Sequence, residues 1–376
     1  MQISRYNERK ILDKLKPKKV CVLLGPRRVG KTELIKKIAD QSKEPVLFLN
    51  GDDIRTHLLL EERSVANYRQ VLGDNKLLII DEAQEIENIG QKLKLIVDEI
   101  DDVKVLITGS SAFEINNQVG EPLVGRKHVF HMYPLAQLEY TTMENSLQTA
   151  ENLEERLIYG SYPELLHIPD FKQKQNYLNE LVFSYLIKDV LSFEGIKKRD
   201  KIMKLLQMMA FRVGSEISVE GIGNELGISK NTVDKYLDLF EKVFIMYPVS
   251  GYTKNADNEI TKKRKWYFWD NGVRNALINQ FNPLSLRTDI GQLWENYLFI
   301  ERTKKFANEE RTVFSHFWRT QTKQEIDRIE DENGQLRAYE FKWTQEKVKI
   351  PPQFAKNYPK AEFNLVNKRN YLRFIL

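Results

Sequence analysis

The chain has 376 residues, 41% of them hydrophobic, which is enough for two or three domains with substantial cores and too apolar for a disordered chain. A formal net charge of +5 permits nucleic-acid binding without demanding it, while the single Cys21 and scattered histidines leave no disulfide framework and no His/Cys metal spacing. No apolar run approaches the roughly 18 residues that span a bilayer, and the opening "MQISRYNERKILDKL" lacks a signal-peptide stretch, so a cytoplasmic protein without membrane partners is expected.

In chain order, the first clear element is the apolar run "VCVLL", Val20 to Leu24, of strand length and with Cys21 inside it as an inert core residue. It runs into "GPRRVGKTEL", which spells G-x-x-x-x-G-K-[ST], and "TELIKKIADQ" behind it repeats Leu34, Ile35 and Ile38 on one helical face. A loop of this kind, between a buried strand and a helix N-terminus, turns its backbone N–H groups onto an anion. Gly25, Pro26, Arg27, Arg28, Val29, Gly30, Lys31, Thr32 and Glu33 are therefore the expected ATP-binding stretch, with Lys31 reaching the outer phosphates and Thr32 ligating Mg2+. After a strand at "PVLFLN", "KLLIIDEAQ" carries Leu77 to Ile80 into Asp81 and Glu82. These acids lie roughly 50 residues past the loop, at the C-terminal end of a buried strand where α/β sheets place their ligands. Asp81 is expected to hold the magnesium shell and Glu82 to orient or deprotonate the attacking water. A further strand, "VKVLITGSSA", ends in Thr108, Ser110 and Ser111, polar groups placed to sense the γ-phosphate, and "KHVFHMYPL" adds another. The alternation over residues 1–140 predicts a parallel sheet flanked by helices.

Past "SLQTAENLEE" the periodicity turns helical, which predicts a second domain over residues 150–285. Within it, "SVEGIGNELGISKNTVDKYLDLFEKVFIM" has the form of a helix-turn-helix, with Gly227 ending one helix and Ser229 capping the next. Val233, Tyr236, Leu237 and Phe240 then face inward, leaving Ser229, Lys230, Asn231, Thr232 and Lys235 exposed where a recognition helix meets DNA. The stretch "SGYTKNADNEITKKRKWYF" reads as a basic wing that brings Lys262, Lys263, Arg264 and Lys265 to the DNA backbone. Cations also cluster in "KPKK" and "IKKRDKIMK". A solvated charged face, or a helical element that docks a protein, accounts for the same residues.

A third domain over 286–376 begins with the helix "LWENYLFIERTKKF" and continues into short strands. "EIDRIEDENGQLRAYEFKW" reads as a hairpin turning at Asn333-Gly334. That register sets Asp327 opposite Glu340 and Glu325 opposite Lys342, with Ile326, Tyr339, Phe341 and Trp343 on the other face and Arg328 breaking its apolar pattern. Carboxylates about 5 Å apart repel unless a cation lies between them. Asp327 and Glu340, with Glu295 on the preceding helix and Lys342 beside them, match the E…D…ExK arrangement of metal-dependent nucleases. An ordinary Glu325–Lys342 pair on a solvated face is the plain alternative.

The segments "GPRRVGKT", "LLIIDEAQ", "LITGSSA", "GRKHVFHMYPL", "YGSYPELL", "WYFWDNGVRNAL", "LWENYLF", "FWRT", "EIDRI" and "AYEFKW", in this order, resemble a large bacterial and archaeal group of AAA-like ATPases that carry a C-terminal domain of unassigned function. The resemblance covers almost the whole chain. It implies an ASCE-type P-loop ATPase domain, then a winged-helix region, then an α/β restriction-endonuclease-like domain similar to the PD-(D/E)xK nucleases. Residue by residue it supports Lys31, Thr32, Asp81 and Glu82 in the roles given above and implies Ser110 as the sensor. "LVGRKHVF" sets Arg126 just before a strand, where an AAA-like protein supplies an arginine finger to a neighbouring subunit of a homo-oligomer. The sensor is Ser rather than the Asn common among AAA proteins, and no second-sensor arginine stands out, which argues against a ring-type motor. The expected function is a Mg2+-dependent ATPase acting on duplex or branched DNA, its nucleotide state controlling DNA binding and cleavage or remodelling by the C-terminal domain. The alternative is a STAND-type ATP switch that binds a protein partner and keeps an inactive nuclease scaffold.

Overall fold

The apolar runs of the N-terminal third become the strands of one parallel sheet. The computed structural model describes residues 3–110, 122–186, 190–191, 199–253 and 264–376. Its strands are β1 Val20–Leu24, β2 Val46–Asn50, β3 Leu77–Asp81, β4 Lys104–Gly109 and β5 Lys127–His131, in the order β2-β3-β4-β1-β5 with every pairing parallel. β1 and β3 are buried throughout and β4 everywhere but Lys104, whereas the edge strands β2 and β5 each bury a single residue. A central parallel strand is covered on both faces and must be apolar on both, so the continuous runs went to the centre. Helices α1 Tyr6–Lys14, α2 Lys31–Asp40, α3 Ile54–Leu59, α4 Val65–Leu72 and α5 Ile89–Glu99 accompany the strands. α2 buries Leu34, Ile35 and Ile38 as its periodicity predicts. Cys21 has no exposure, and burial pushes its thiol up to about 12.

The molecule divides into two compact units, Met1–Tyr133 with Lys242–Phe244, and Pro134–Glu241 with Ile245–Leu376. The second unit opens with α6 Gln137–Tyr140, α7 Ser146–Glu151, α8 Leu153–Tyr159 and α9 Phe171–Glu180. Further along come α10 Arg199–Phe211, α11 Val219–Leu226 and α12 Lys230–Lys242, and then an antiparallel pair, β6 Met246–Val249 with β7 Lys265–Phe268. α11 is capped by Ser218, whose hydroxyl accepts the Gly221 N–H, and ends at Gly227 with φ +63. Ser229 caps α12 by accepting the Thr232 N–H. Next come α13 Asn271–Leu277 and the long α14 Ile290–Asn308. The unit closes with β8 Phe314–Arg319, β9 Glu325–Glu332, β10 Gln335–Phe341, α15 Pro352–Asn357, β11 Glu362–Val366 and α16 Tyr371–Ile375. Its sheet runs β11-β10-β9-β8, antiparallel except for β10 with β11, and Gln335 pairs with Glu332 across the turn, the register read from Asn333-Gly334. No described helix is long and apolar enough to cross a membrane.

Within the second unit, several side chains stitch together the residues on the two sides of position 285, and one of them makes three bonds. Asn296 of α14 accepts the Phe268 N–H at 2.7 Å and donates to the Phe268 carbonyl at 3.0 Å and to Asn271 Oδ1 at 2.7 Å, all buried. The β7–α13 corner is thus paired by a side chain where a strand partner is missing. Asp270 reinforces it by accepting the Ser161 and Val273 N–H groups at 2.7 and 3.1 Å. Asn296→Ala removes the partner of one buried donor and two buried acceptors and is expected to lower stability by about 2–4 kcal/mol in urea unfolding. Asn282→Ala, at an exposed site, should leave the midpoint unchanged.

Candidate functional site

Every strand of the first sheet runs the same way, so the chain leaves β1, β3 and β4 on one rim, and the polar residues at their ends converge there. After β1 the loop makes two left-handed turns, at Arg28 with φ +65 and Gly30 with φ +92, before α2 starts at Lys31. Gly25 has no room for a side chain, because an added Cβ would lie 2.0 Å from the Met132 carbonyl oxygen. Lys31 is 4% exposed and its ammonium donates to the Gly25 and Pro26 carbonyls at 2.8 and 3.0 Å. Of the remaining loop residues, Pro26 and Val29 are buried, Arg27 is half-buried, and Arg28 and Glu33 are exposed.

Asp81 is the centre of the site. Its Oδ2 accepts the Thr32 hydroxyl at 2.7 Å, and its Oδ1 accepts a short hydrogen bond from the Thr108 hydroxyl. Thr108 is wholly buried and also accepts the Glu82 N–H at 2.9 Å, so it serves both acids at once. Glu82 adopts a left-handed conformation, φ +48 and ψ +46, which turns the chain out of β3. Its carboxylate receives the Gln84 amide at 2.6 Å, and Gln84 also lies 3.4 Å from the Ser110 hydroxyl. Gly51 is hemmed in on the other side, where an added Cβ would meet the Glu82 carbonyl at 2.2 Å.

This rim brings Lys31, Thr32, Asp81, Glu82 and Ser110 together. Thr108 and Gln84 are further participants. The sequence places Thr108 among the phosphate-sensing groups, but its hydroxyl is committed to the two acids, and nothing in "DEAQ" alone marks Gln84 as the partner of Glu82. Arg5 also escapes a reading by motif: buried, it donates to the Val29 carbonyl of the loop and to the Tyr133 carbonyl, both at 2.6 Å. Arg126 lies at the opposite end of the sheet, where its carbonyl accepts the Val20 N–H at the start of β1 and its guanidinium meets Asp98 at 2.6 Å. It does not reach the nucleotide loop of its own chain. Ser111, Lys262 and Lys263 lie outside the described residues.

In the second unit, Lys230, Asn231 and Lys235 of α12 and Arg264, just before β7, are exposed, and Thr232 is half-buried. Lys265 corrects the expectation of a basic wing. It is 1% exposed, and its ammonium meets Glu325 Oε1 at 2.5 Å and Glu295 Oε1 at 3.2 Å. β7 is a buried strand, so a lysine at its first position points into the molecule and away from a DNA backbone.

The second correction concerns the expected nuclease metal. Glu295, Asp327 and Glu340 share one electrostatic neighbourhood, but among the described residues no group of three or more His, Cys, Asp or Glu side chains is arranged to hold a metal ion. Glu325 pairs with Lys265 rather than with Lys342, whose ammonium instead meets Glu340 Oε1 at 2.7 Å. Asp327 Oδ2 accepts the Phe341 N–H at 2.7 Å, and Glu340 Oε2 is buried without a hydrogen-bond partner. The residues do not fit a divalent ion in this arrangement.

Burial, and then the charges of Glu295 and Glu340, raise the Asp327 carboxyl well above its ordinary value, against the pull of Lys265. Glu340 is raised by burial despite the hydrogen bond from Lys342. Because the folded value of Asp327 exceeds the unfolded one, its contribution to stability is present at low pH and is lost progressively as pH rises from about 4 toward the folded value. Asp327→Asn removes that loss while its side-chain oxygen still accepts the Phe341 N–H. Its melting temperature relative to the unsubstituted chain should therefore climb between pH 5 and pH 8, and a flat difference would contradict the raised carboxyl.

Residues 17–141 match the family model described as an AAA domain. Residues 150–284 and 290–371 match two domains of unknown function, DUF8612 and DUF4143. The first match and the parallel sheet with its loop identify an AAA-like P-loop ATPase domain. An uncharacterized protein of Haemophilus influenzae is 24% identical over 309 residues, 76% of this chain and 74% of that one. One of Methanocaldococcus jannaschii is 24% identical over 361 residues, 81% and 75% of the respective chains. Among solved structures, the Thermotoga maritima RuvB Holliday junction branch migration motor gives a TM-score of 0.34 at 15% identity, over 65% of this chain and 89% of that one. Bacteroides Pif1 bound to ssDNA gives 0.27 at 16% identity, over 48% and 50%.

Proposed function

We propose that the chain binds ATP with Mg2+ in its first unit, hydrolyses it, and uses the nucleotide state to control DNA binding by its second unit. The observation that carries the ATPase reading is the Asp81 carboxylate gripped by Thr32 and Thr108 on the strand rim beside Lys31. Thr32 and Asp81 are the residues that would hold the ion, which when bound offsets charge on the phosphates. Lys31 binds the outer phosphate oxygens. Glu82, fixed by Gln84 at its carboxylate and by Thr108 at its N–H, orients the attacking water or takes its proton. The burial of Ser110 beside Gln84 supports its role as the γ-phosphate sensor. Arg126 is available to a neighbouring subunit only, and in that role it would leave Asp98.

Lys31→Ala is expected to weaken nucleotide binding and abolish turnover. Glu82→Gln should keep ATP bound while turnover falls by about 100-fold or more, since only the water-orienting group is lost. Phosphate release together with binding of a fluorescent ATP analogue reads both effects. Equal turnover in Glu82→Gln and the unsubstituted chain removes Glu82 from the reading.

The DNA arm rests on α10–α12 followed by the β6–β7 pair, an order that supports a winged-helix region, and on the exposed Lys230, Asn231, Lys235 and Arg264. Lys230→Ala with Lys235→Ala should reduce the slope of log affinity against log salt by about 2, through loss of two phosphate contacts. One observation favours the second reading, a STAND-type switch that binds a protein: the C-terminal carboxylates are closed by lysines. Duplex, single-stranded and branched DNA, each with and without ATP, separate the two. Binding that is absent at every salt concentration selects the protein switch.

A further inference from the structure

The carboxylates of the C-terminal sheet already hold a cation, and it belongs to the chain. Lys265 stands at the head of β7, in a strand whose every residue is buried, and its ammonium lies between Glu295 of α14 and Glu325 of β9. The Tyr267 hydroxyl donates to the same Glu295 Oε1 at 2.7 Å, so that oxygen serves two donors. The Phe317 ring lies 5.3 Å from the ammonium. Across the cluster Glu295 is engaged at one oxygen by Lys265, Asp327 at one by the Phe341 N–H and Glu340 at one by Lys342, while Glu325 is engaged at both, by Lys265 and, at 3.6 Å, by Arg319.

We propose that Lys265 is the resident cation of this cluster and excludes a divalent metal from it. A divalent ion needs several oxygens converging at roughly 2.0–2.6 Å, and here one oxygen each of Glu295 and Glu325 is turned onto the Lys265 ammonium, while one of Asp327 and one of Glu340 are held by the Phe341 N–H and by Lys342. An ion seated among them would stand a few ångströms from that buried charge, where repulsion is screened less than at the surface. Lys265 does not swing aside as a surface lysine does, because its side chain is 1% exposed and packed within a strand whose every residue is buried. The sheet therefore keeps the acids of a metal site with a fixed monovalent charge in the metal's place, and this arrangement makes no use of the ATPase site or of the DNA reading.

The test uses the full chain, stripped of metal and without nucleotide, titrated with Mn2+ in calorimetry and followed by thermal denaturation. The unsubstituted chain and Asp327→Asn should give the same Mn2+ isotherm. Lys265→Gln and Lys265→Met should each gain one Mn2+ site per chain at least tenfold tighter than any the unsubstituted chain shows, and Asp327→Asn added to either should abolish it. Both Lys265 variants should melt lower in EDTA and recover with Mn2+, a rescue not seen in the unsubstituted chain. A Mn2+ site in the unsubstituted chain that Asp327→Asn removes would overturn the proposal, and this comparison decides even if neither Lys265 variant folds. Folded Lys265 variants that gain no site would overturn it equally.

Discussion

Asp81 accepts two hydroxyls on one carboxylate, from Thr32 at the head of α2 and from Thr108 in β4, and the organisation of the first unit depends on that double grip. It ties the nucleotide loop, the acidic strand end and the strand between them into one piece, since β4 lies between β1 and β3 in the sheet. A hydroxyl shared between two strand ends is satisfied only at one offset of those strands, so the hydrogen bonds that set the chemistry also report the register of the sheet. Glu82 is carried along: its N–H meets the same Thr108 oxygen, and the left-handed turn at this residue aims its carboxylate at Gln84 instead of along the strand.

Much of this was legible in the sequence, for reasons that are local. "VCVLL" into "GPRRVGKT" and "LLIID" into Glu82 state a strand, a turn and the residues after it without reference to anything distant. The hairpin at Asn333-Gly334 was readable in the same way, because a two-residue turn fixes which residues face each other. Lys265 was not readable. In "TKKRKWYF" it is the last of a run of cations, and the side that it faces is decided by β7 packing near α14 and β9, elements that come 30 and 60 residues later. The cue was present on its other flank, where Trp266, Tyr267 and Phe268 mark a buried strand. Arg126 illustrates the same limit. Its motif gives a position before a strand, whereas only the parallel direction of β5 shows which rim it occupies.

The second unit departs from an apolar core more than its composition suggests. Arg328, which breaks the apolar face of β9, is wholly buried and bonded to Glu330 at 2.8 Å, and Arg302 of α14 meets the two oxygens of the same Glu330 at 2.9 and 3.0 Å. Arg274 and Arg287 converge on Asp289; burial alone would raise that carboxyl, but the hydrogen bond from Arg287 and the charge of Arg274 draw it down to about 2. Networks of this kind contribute little net stability, because desolvation cancels most of the attraction, yet they tolerate few alternative geometries. The Glu330 network binds α14 to the sheet by direction as well as by area, the Asp289 network binds the start of α14 to α13, and the Lys265 cluster is a third instance at the same helix.

Arg5 has a consequence for how motion at the nucleotide loop is carried. One guanidinium holds the Val29 carbonyl of the loop and the Tyr133 carbonyl, and the Met132 carbonyl abuts Gly25 so closely that no Cβ fits between them. Tyr133 is the last residue of the first unit before the chain passes into the second at Pro134. The loop is therefore clamped at both ends to the two residues that precede the crossing. Any displacement of the loop is opposed at Met132 and Tyr133, within one peptide of the point where the chain leaves the first unit.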